Sequence, residues 1–378
     1  MFSCYGGARM RRFIALACAS ALGISLSAAC VAQASAAARS PASGSTTIVV
    51  SPGQSIQAAV NLARPGDTVL VRAGVYRQSV QIRTDNITLR GSGNSLHGTV
   101  LIPPRHKVSS ACNAAFGPTG VCILAKQVGK NGAVIRPVRG DTIQRLYVTG
   151  FGENGVFGYG TDRLTVTHVT AVRDGGYGIS RFVSTRTLFA HDVAIGNHEA
   201  GFYVGDSPDA ATVVRHNLAE GNTLGIFIRH ARGVAVTGNL AIRNCQGILV
   251  LDDGQRGGAG NAVIEHNATT ANNKFCAKSG DTPVNLQGGG ILLLGATNVL
   301  VAHNLVTHNA GRRLNSGGIV VLSARQLTHG HNPKNILVTR NTLRRNRPFD
   351  LRWDGTGANV AFVKNRCATS SPAGLCSR

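Results

Sequence analysis

The residues best suited to chemistry in this sequence cluster between Arg181 and Asp253. Arg181 and Arg229 are cations able to neutralise an anionic substrate. His230 and Tyr203 can give or take a proton, and Asp206, Asp252 and Asp253 supply carboxylates. Removing a proton from the carbon beside a carboxylate needs this combination, because a cation must compensate the growing charge while a base reaches the proton. A uronic acid offers such a carbon. The leading expectation is therefore a uronate lyase, with Arg181 and Arg229 as neutralisers, His230 or Tyr203 as acid and base, and Phe227 and Asp206 as substrate contacts. Asp206, Asp252 and Asp253 also form an oxygen set that could hold Ca²⁺, a hard cation. A glycoside hydrolase is the second expectation, since Asp206 with Asp252 or Asp253 could supply one acid and one carboxylate with room for water. Plain ion pairing among Asp206, Arg229 and Asp252 is the alternative without chemistry.

An internal repeat positions these residues. Asp192/Asn197, Asn217/Asn222, Asn239/Asn244, Asn267/Asn272, Asn304/Asn309 and Asn341/Asn346 recur with a constant five-residue offset. An alternating strand precedes each pair, and in most repeats a Gly-led strand follows, as in Gly225-Ile-Phe-Ile and Gly247-Ile-Leu-Val. Strands this short are unstable alone, so they must stack coil on coil, with alternate residues such as Ile226 and Val250 pointing inward. Asn tolerates a left-handed turn and can build a stacked amide ladder. The reading is an all-β right-handed parallel β-helix over 46–366. Ser51–Asp67 has helical spacing with a Pro-Gly stop and would cap the open end of the stack. His168, His191, His216, His266 and His303 recur just before a corner, and that regularity assigns them to turns and surface.

Asp67-Thr-Val-Leu-Val-Arg-Ala-Gly-Val-Tyr76 and the Asn/Gly coils resemble the pectin-lyase-like right-handed β-helix superfamily. The coils are most similar to NosD-type periplasmic proteins and alginate C5-epimerases. The resemblance implies the fold and a carbohydrate connection, but that superfamily holds lyases, epimerases, hydrolases and non-catalytic binders. Tyr177-Gly-Ile-Ser-Arg-Phe182 keeps the Tyr-Gly of the epimerase motif without its Asp and His. Leu251-Asp-Asp-Gly254 resembles the polygalacturonase Asp pair and His329-Gly-His331 its Gly-His-Gly, while the Arg-x-Lys is missing.

Insertions at 252–260, 273–289, 310–317 and 323–333 flank the outward face of the Gly-led strands. Long loops walling a sheet face make a groove; otherwise they cover the outward Leu249, Leu292, Leu294 and Leu322.

The net charge of +22 favours a polyanionic partner. No nucleic-acid motif or interleaved aromatics accompany the basic residues, so an anionic polysaccharide is expected rather than nucleic acid. A non-catalytic charged binder or envelope protein is the third expectation. Arg9, Arg11 and Arg12, an apolar run to about Ala29 and Ala-x-Ala sites read as a signal peptide over 1–36. A linker at 37–45, no stable membrane insertion after its removal, secretion and a monomer are expected. The six remaining Cys suggest local pairs in an oxidising compartment: Cys112–Cys122, Cys245–Cys276 and Cys367–Cys376, the last closing the tail at 367–378.

Overall fold

Each short strand satisfies its backbone only by lying beside the matching strand of the next coil. The computed structural model describes residues 44–278 and 284–377, and there the pairing runs along three faces. Sheet I takes strands such as Thr47–Val50, Thr165–Thr167, Thr212–Arg215 and Lys334–Thr339. Sheet II takes Gly74–Arg77, Val193–Ile195, Leu240–Ile242 and Leu305–Thr307. Sheet III takes Asn154–Tyr159, Ile179–Phe182, Ala200–Ser207, Gln246–Leu251, Gly289–Leu294 and Gly317–Leu322. The pairings between coils are parallel and in register. Strand Leu224–Thr237 bends through a corner and serves both sheet III and sheet I. The all-β right-handed parallel β-helix expected from the repeat is the architecture found.

Register decides what is core. On sheet III, Phe202, Ile226, Ile248, Ile291 and Ile319 align, as do Val204, Ile228, Val250, Leu293 and Val321, and all are fully buried. Ile226 and Val250 thus point inward as expected. Burying a side chain of this size stabilises by about 1.5–3 kcal/mol.

The paired Asn residues form two ladders. One runs Asp192, Asn217, Asn239, Asn267, Asn304, Asn341 and Asn365 at the corner between sheets I and II. The other runs Asp174, Asn197, Asn222, Asn244, Asn272, Asn309 and Asn346 between sheets II and III, ending on Asp350. In each Asn–Asn rung the Oδ1 accepts from the backbone N–H and the Nδ2 of the Asn in the coil before, at 3.0 Å each from Asn217 to Asn239, while Asp174 and Asp192 donate only their backbone N–H. The Nδ2 also reaches back to a carbonyl, as from Asn239 to Val214 at 2.9 Å. The Asn corners are thereby satisfied, whereas one carboxylate oxygen each of Asp174 and Asp192 is buried without a partner.

The helix Ile56–Leu62 closes the N-terminal end, packing Ile56, Ala59 and Val60 on the core, and Ser55 caps it by accepting from the Ala58 N–H at 3.1 Å. The helix Ala111–Phe116 and the hairpin of Gln127–Val128 with Val134–Arg136 were not foreseen, since each is too short to show a period. The three disulfides pair as expected: Cys112–Cys122, Cys245–Cys276 and Cys367–Cys376. The proposed signal peptide lies outside the described residues. No helix of the described residues is long and apolar enough to cross a membrane.

Candidate functional site on the outer face of sheet III

Two outward columns of sheet III carry the candidate residues. One reads Ser180, Tyr203, Phe227, Leu249, Leu292, Val320; the other reads Phe182, Gly205, Arg229, Leu251, Leu294, Leu322. Phe227 and Arg229 therefore sit on the face the alternation predicts. Arg181 does not. It aligns with Val204 and is fully buried, because the alternation at Ile179–Phe182 turns it inward. Its guanidinium donates to the carbonyls of Ser184 at 2.5 Å and Ala210 at 3.1 Å and to Thr212 Oγ1 at 2.9 Å. Burial pushes its pKa down to about 9. Arg181 ties the inside of a corner and cannot meet a substrate.

At the corner after sheet III, His230 is buried with both ring nitrogens occupied. Nδ1 lies 2.9 Å from Asp206 Oδ1, and Nε2 contacts Asp253 Oδ1. Asp253 Oδ2 accepts from Arg229 Nη2 at 2.6 Å and Nε at 3.0 Å. Asp206, His230, Asp253 and Arg229 form one hydrogen-bonded chain, of which Asp206 and Arg229 are the partly exposed ends. His230 is thus a positioning residue rather than the free base expected. Asp252 faces elsewhere, accepting from the Gly254 N–H at 2.9 Å and lying 3.2 Å from His331 Nδ1. The three Asp do not converge as a Ca²⁺ site, and no cluster of metal-ligating groups exists among the described residues.

Beside this chain lies an aromatic bed. Tyr203 is 1% exposed, stacked on Tyr177 and against Phe182, each at 4.5 Å, with Phe227 at 5.3 Å. Its ring lies over Gly205, where a Cβ would come within 2.2 Å of the ring, so only Gly fits that position. Tyr203 and Phe227 are therefore the floor, and the half-buried Tyr177 and Phe182 are the upper surface. The Tyr177 hydroxyl donates to Glu199 Oε1 at 2.5 Å. Burial, then the Glu199 charge, push Tyr177 well above the ordinary phenol pKa, while the nearby Arg229 charge opposes them. Tyr177, Glu199 and Arg229 thus act on one another, and Glu199 is the residue the sequence reading missed. Its signal was modest: an acid just ahead of the Gly-led strand Ala200–Ser207.

The C-terminal coils differ. Leu249, Leu292, Leu294, Val320 and Leu322 are buried under Leu286, Ala324 and Leu327. Cys245–Cys276 anchors one covering loop, and Arg313 lies 5.7 Å from the centroid of the Phe275 ring to join it to the next. Over these coils the insertions cover apolar residues, and the groove reading does not hold there.

Residues 122–256 and 154–343 match the family model for the right handed beta helix region, more than half of the chain between them. The chain belongs to the right-handed β-helix family. No curated protein matches this sequence. Among solved structures, this family member is similar to the A-module of mannuronan C-5 epimerase AlgE6 from Azotobacter vinelandii (TM-score 0.54, 19% identity, covering 83% of this chain and 92% of that one). It is also similar to an alginate lyase from Paenibacillus (TM-score 0.52, 15% identity, 86% and 97% covered). A DFA-IIIase from Arthrobacter chlorophenolicus, in complex with DFA-III, gives a TM-score of 0.55 at 12% identity, with 87% of each chain covered. At such identities the likeness is one of fold.

Proposed function

We propose that this protein is an exported enzyme that cleaves a uronate polymer by β-elimination on the outer face of sheet III. The observation that carries the reading is the Tyr177–Glu199 pair beside Arg229. Arg229, held by Asp253, faces the substrate carboxylate and offsets charge as the neighbouring C–H is broken. Glu199 takes that proton. The electron pair forms the new C=C bond and expels the glycosidic oxygen. Tyr177, kept protonated by burial and by Glu199, gives its proton to that oxygen and regains one from Glu199 across their hydrogen bond. The pair ends as it began, and the product carries an unsaturated sugar. Tyr177 and Phe182 offer ring faces to the sugar. Secretion fits the three disulfides, which persist in oxidising compartments. The similarity in fold to an alginate lyase and a mannuronan epimerase supports the carbohydrate class.

One observation favours a non-catalytic binder: His230 and Asp253 are both fully engaged with protein partners. Incubation with polyuronates of different sugars separates the two. Ultraviolet absorbance from unsaturated ends, lost in Glu199→Gln, supports elimination; retained binding with unchanged chain length supports the binder. New reducing ends without unsaturation would support hydrolysis instead.

A further inference from the structure

The corner between sheets I and II carries a chemical row unrelated to the site above. In successive coils the residue just before the corner is Arg145, His168, His191, His216, Gly238, His266, His303, Arg340 and Lys364. Each has φ between 52° and 65°, in the left-handed region. That turn aims these side chains outward, and all eight of them are exposed. From Arg145 to Arg340 each backbone N–H is fixed to a carbonyl of the next coil, as from His191 to Arg215 and from His303 to Thr339. The row is therefore held in place, with one side chain per coil at the strand spacing of about 4.8 Å, save for a gap at Gly238 between His216 and His266. Imidazole centroids lie 5.2 Å apart for His168–His191 and His266–His303 and 5.3 Å apart for His191–His216.

The turn alone does not require histidine. The neighbouring corner makes the same turn with Gly150, Arg173, Gly196, Gly221, Arg243, Ala271, His308 and Arg345. What the histidines add is charge that depends on pH. The charged groups beside the row are few. Arg215 and Glu265 stand on the sheet I side. On sheet II the adjacent outward residues are uncharged, including Val193, Leu218, Leu240 and Leu305, until Arg366 in the last coil. One position further, Glu220 is engaged with Arg243 at 2.7 Å, and Arg344 adds a cation.

We propose that this row is a docking edge for a linear polyuronate, gated by protonation of its histidines. The polymer class is taken from the proposed function, but the row shares no residue with the cleavage site. A uronate chain presents one carboxylate per ring, a repeat on the scale of one coil. Phosphates along a B-form strand repeat at about 3.4 Å and fall out of step. The exposed Leu240 and Leu305 give the sugar ring an apolar strip beside the cations. Arg145, Arg340 and Lys364 are the row's lasting cations, and the imidazoles are the members whose charge depends on pH. Neighbouring imidazoles resist charging together: burial first, then His168, His216 and Arg215, lower the pKa of His191. Binding therefore strengthens gradually as pH falls.

The test is retention on immobilised polygalacturonate and polymannuronate at pH 5 and pH 8. The intact protein is compared with a variant carrying Asn at His168, His191, His216, His266 and His303. Asn accepts the left-handed turn and carries no charge. The intact protein should bind about tenfold tighter at pH 5, and the variant should lose that difference to within about twofold. The double variant His191→Asn with His216→Asn, which disturbs fewer coils, should show an intermediate dependence. Cleavage is followed separately as unsaturated ends, and Glu199→Gln is used for that reading alone, so failure of cleavage and failure of docking are distinguished. A pH dependence retained in both histidine variants overturns the proposal. So does equal retention on neutral dextran, or stronger retention on single-stranded DNA.

Discussion

The outer face of sheet III is two surfaces on one backbone. From Tyr177 to Asp253 it is aromatic and charged, with half-buried Tyr177, Glu199, Arg229 and Asp206 at its surface. From Leu249 to Leu322 the same outward columns turn aliphatic and lie buried under loops. The inward columns barely change across the boundary, Ile226 and Ile228 giving way to Ile248 and Val250. The frame is thus indifferent to what its outer face does. Stability is written inside the coil, and function in the few coils whose outside is left uncovered.

The comparison predicts that chemistry fails only in the first region. Glu199→Gln and Tyr177→Phe should each cut turnover about 10²–10⁴-fold, the usual worth of a positioned acid or base, with little change in melting temperature. Steady-state kinetics and thermal melts check both. Asp253→Ala should cost about 3–5 kcal/mol in stability, since it strands Arg229 and His230 together; denaturant unfolding reads this. In the second region, Leu292→Ala should cost about 2–5 kcal/mol while the surviving folded protein turns over normally. Equal catalytic losses in the two regions would erase the distinction.

How much of this was legible in the sequence follows from the same division. The Asn pairs and the alternation of Ile226 and Ile228 exposed the fold, because each coil repeats one local solution. The pairing of Cys245 with Cys276 followed from matching corners. Arg181 was misplaced because Ile179–Phe182 is short, and a one-residue shift exchanges inside for outside. Glu199 and Tyr177 escaped because their meeting joins adjacent coils, 22 positions apart in sequence. His230 was found, but its two carboxylate partners, which remove it as a free base, lie in the preceding coil and in the next.

The smallest predicted effect concerns the ladder ends. Asp174 and Asp192 stand where later coils have Asn, and burial raises both well above the ordinary carboxyl range. Asp141, which accepts from the Ile87 N–H at 2.8 Å, is raised by burial to about 7. A raised folded-state pKa means the folded protein holds the proton more tightly. The contribution is therefore full below the unfolded value and is lost as pH rises through the folded one. For Asp141 that window runs from about 4 to about 7. Asp192→Asn should restore an amide rung and raise stability by about 1 kcal/mol at pH 8, with less gain at pH 4. Melts at the two pH values check the sign.

The most direct test of the uncovered region as a catalytic surface is the product formed from a polyuronate. The account predicts new ultraviolet absorbance from unsaturated ends with the intact protein. It predicts none with Glu199→Gln and an unchanged yield per folded molecule with Leu292→Ala. Undiminished product from Glu199→Gln, or no unsaturated product from any polyuronate, would contradict it.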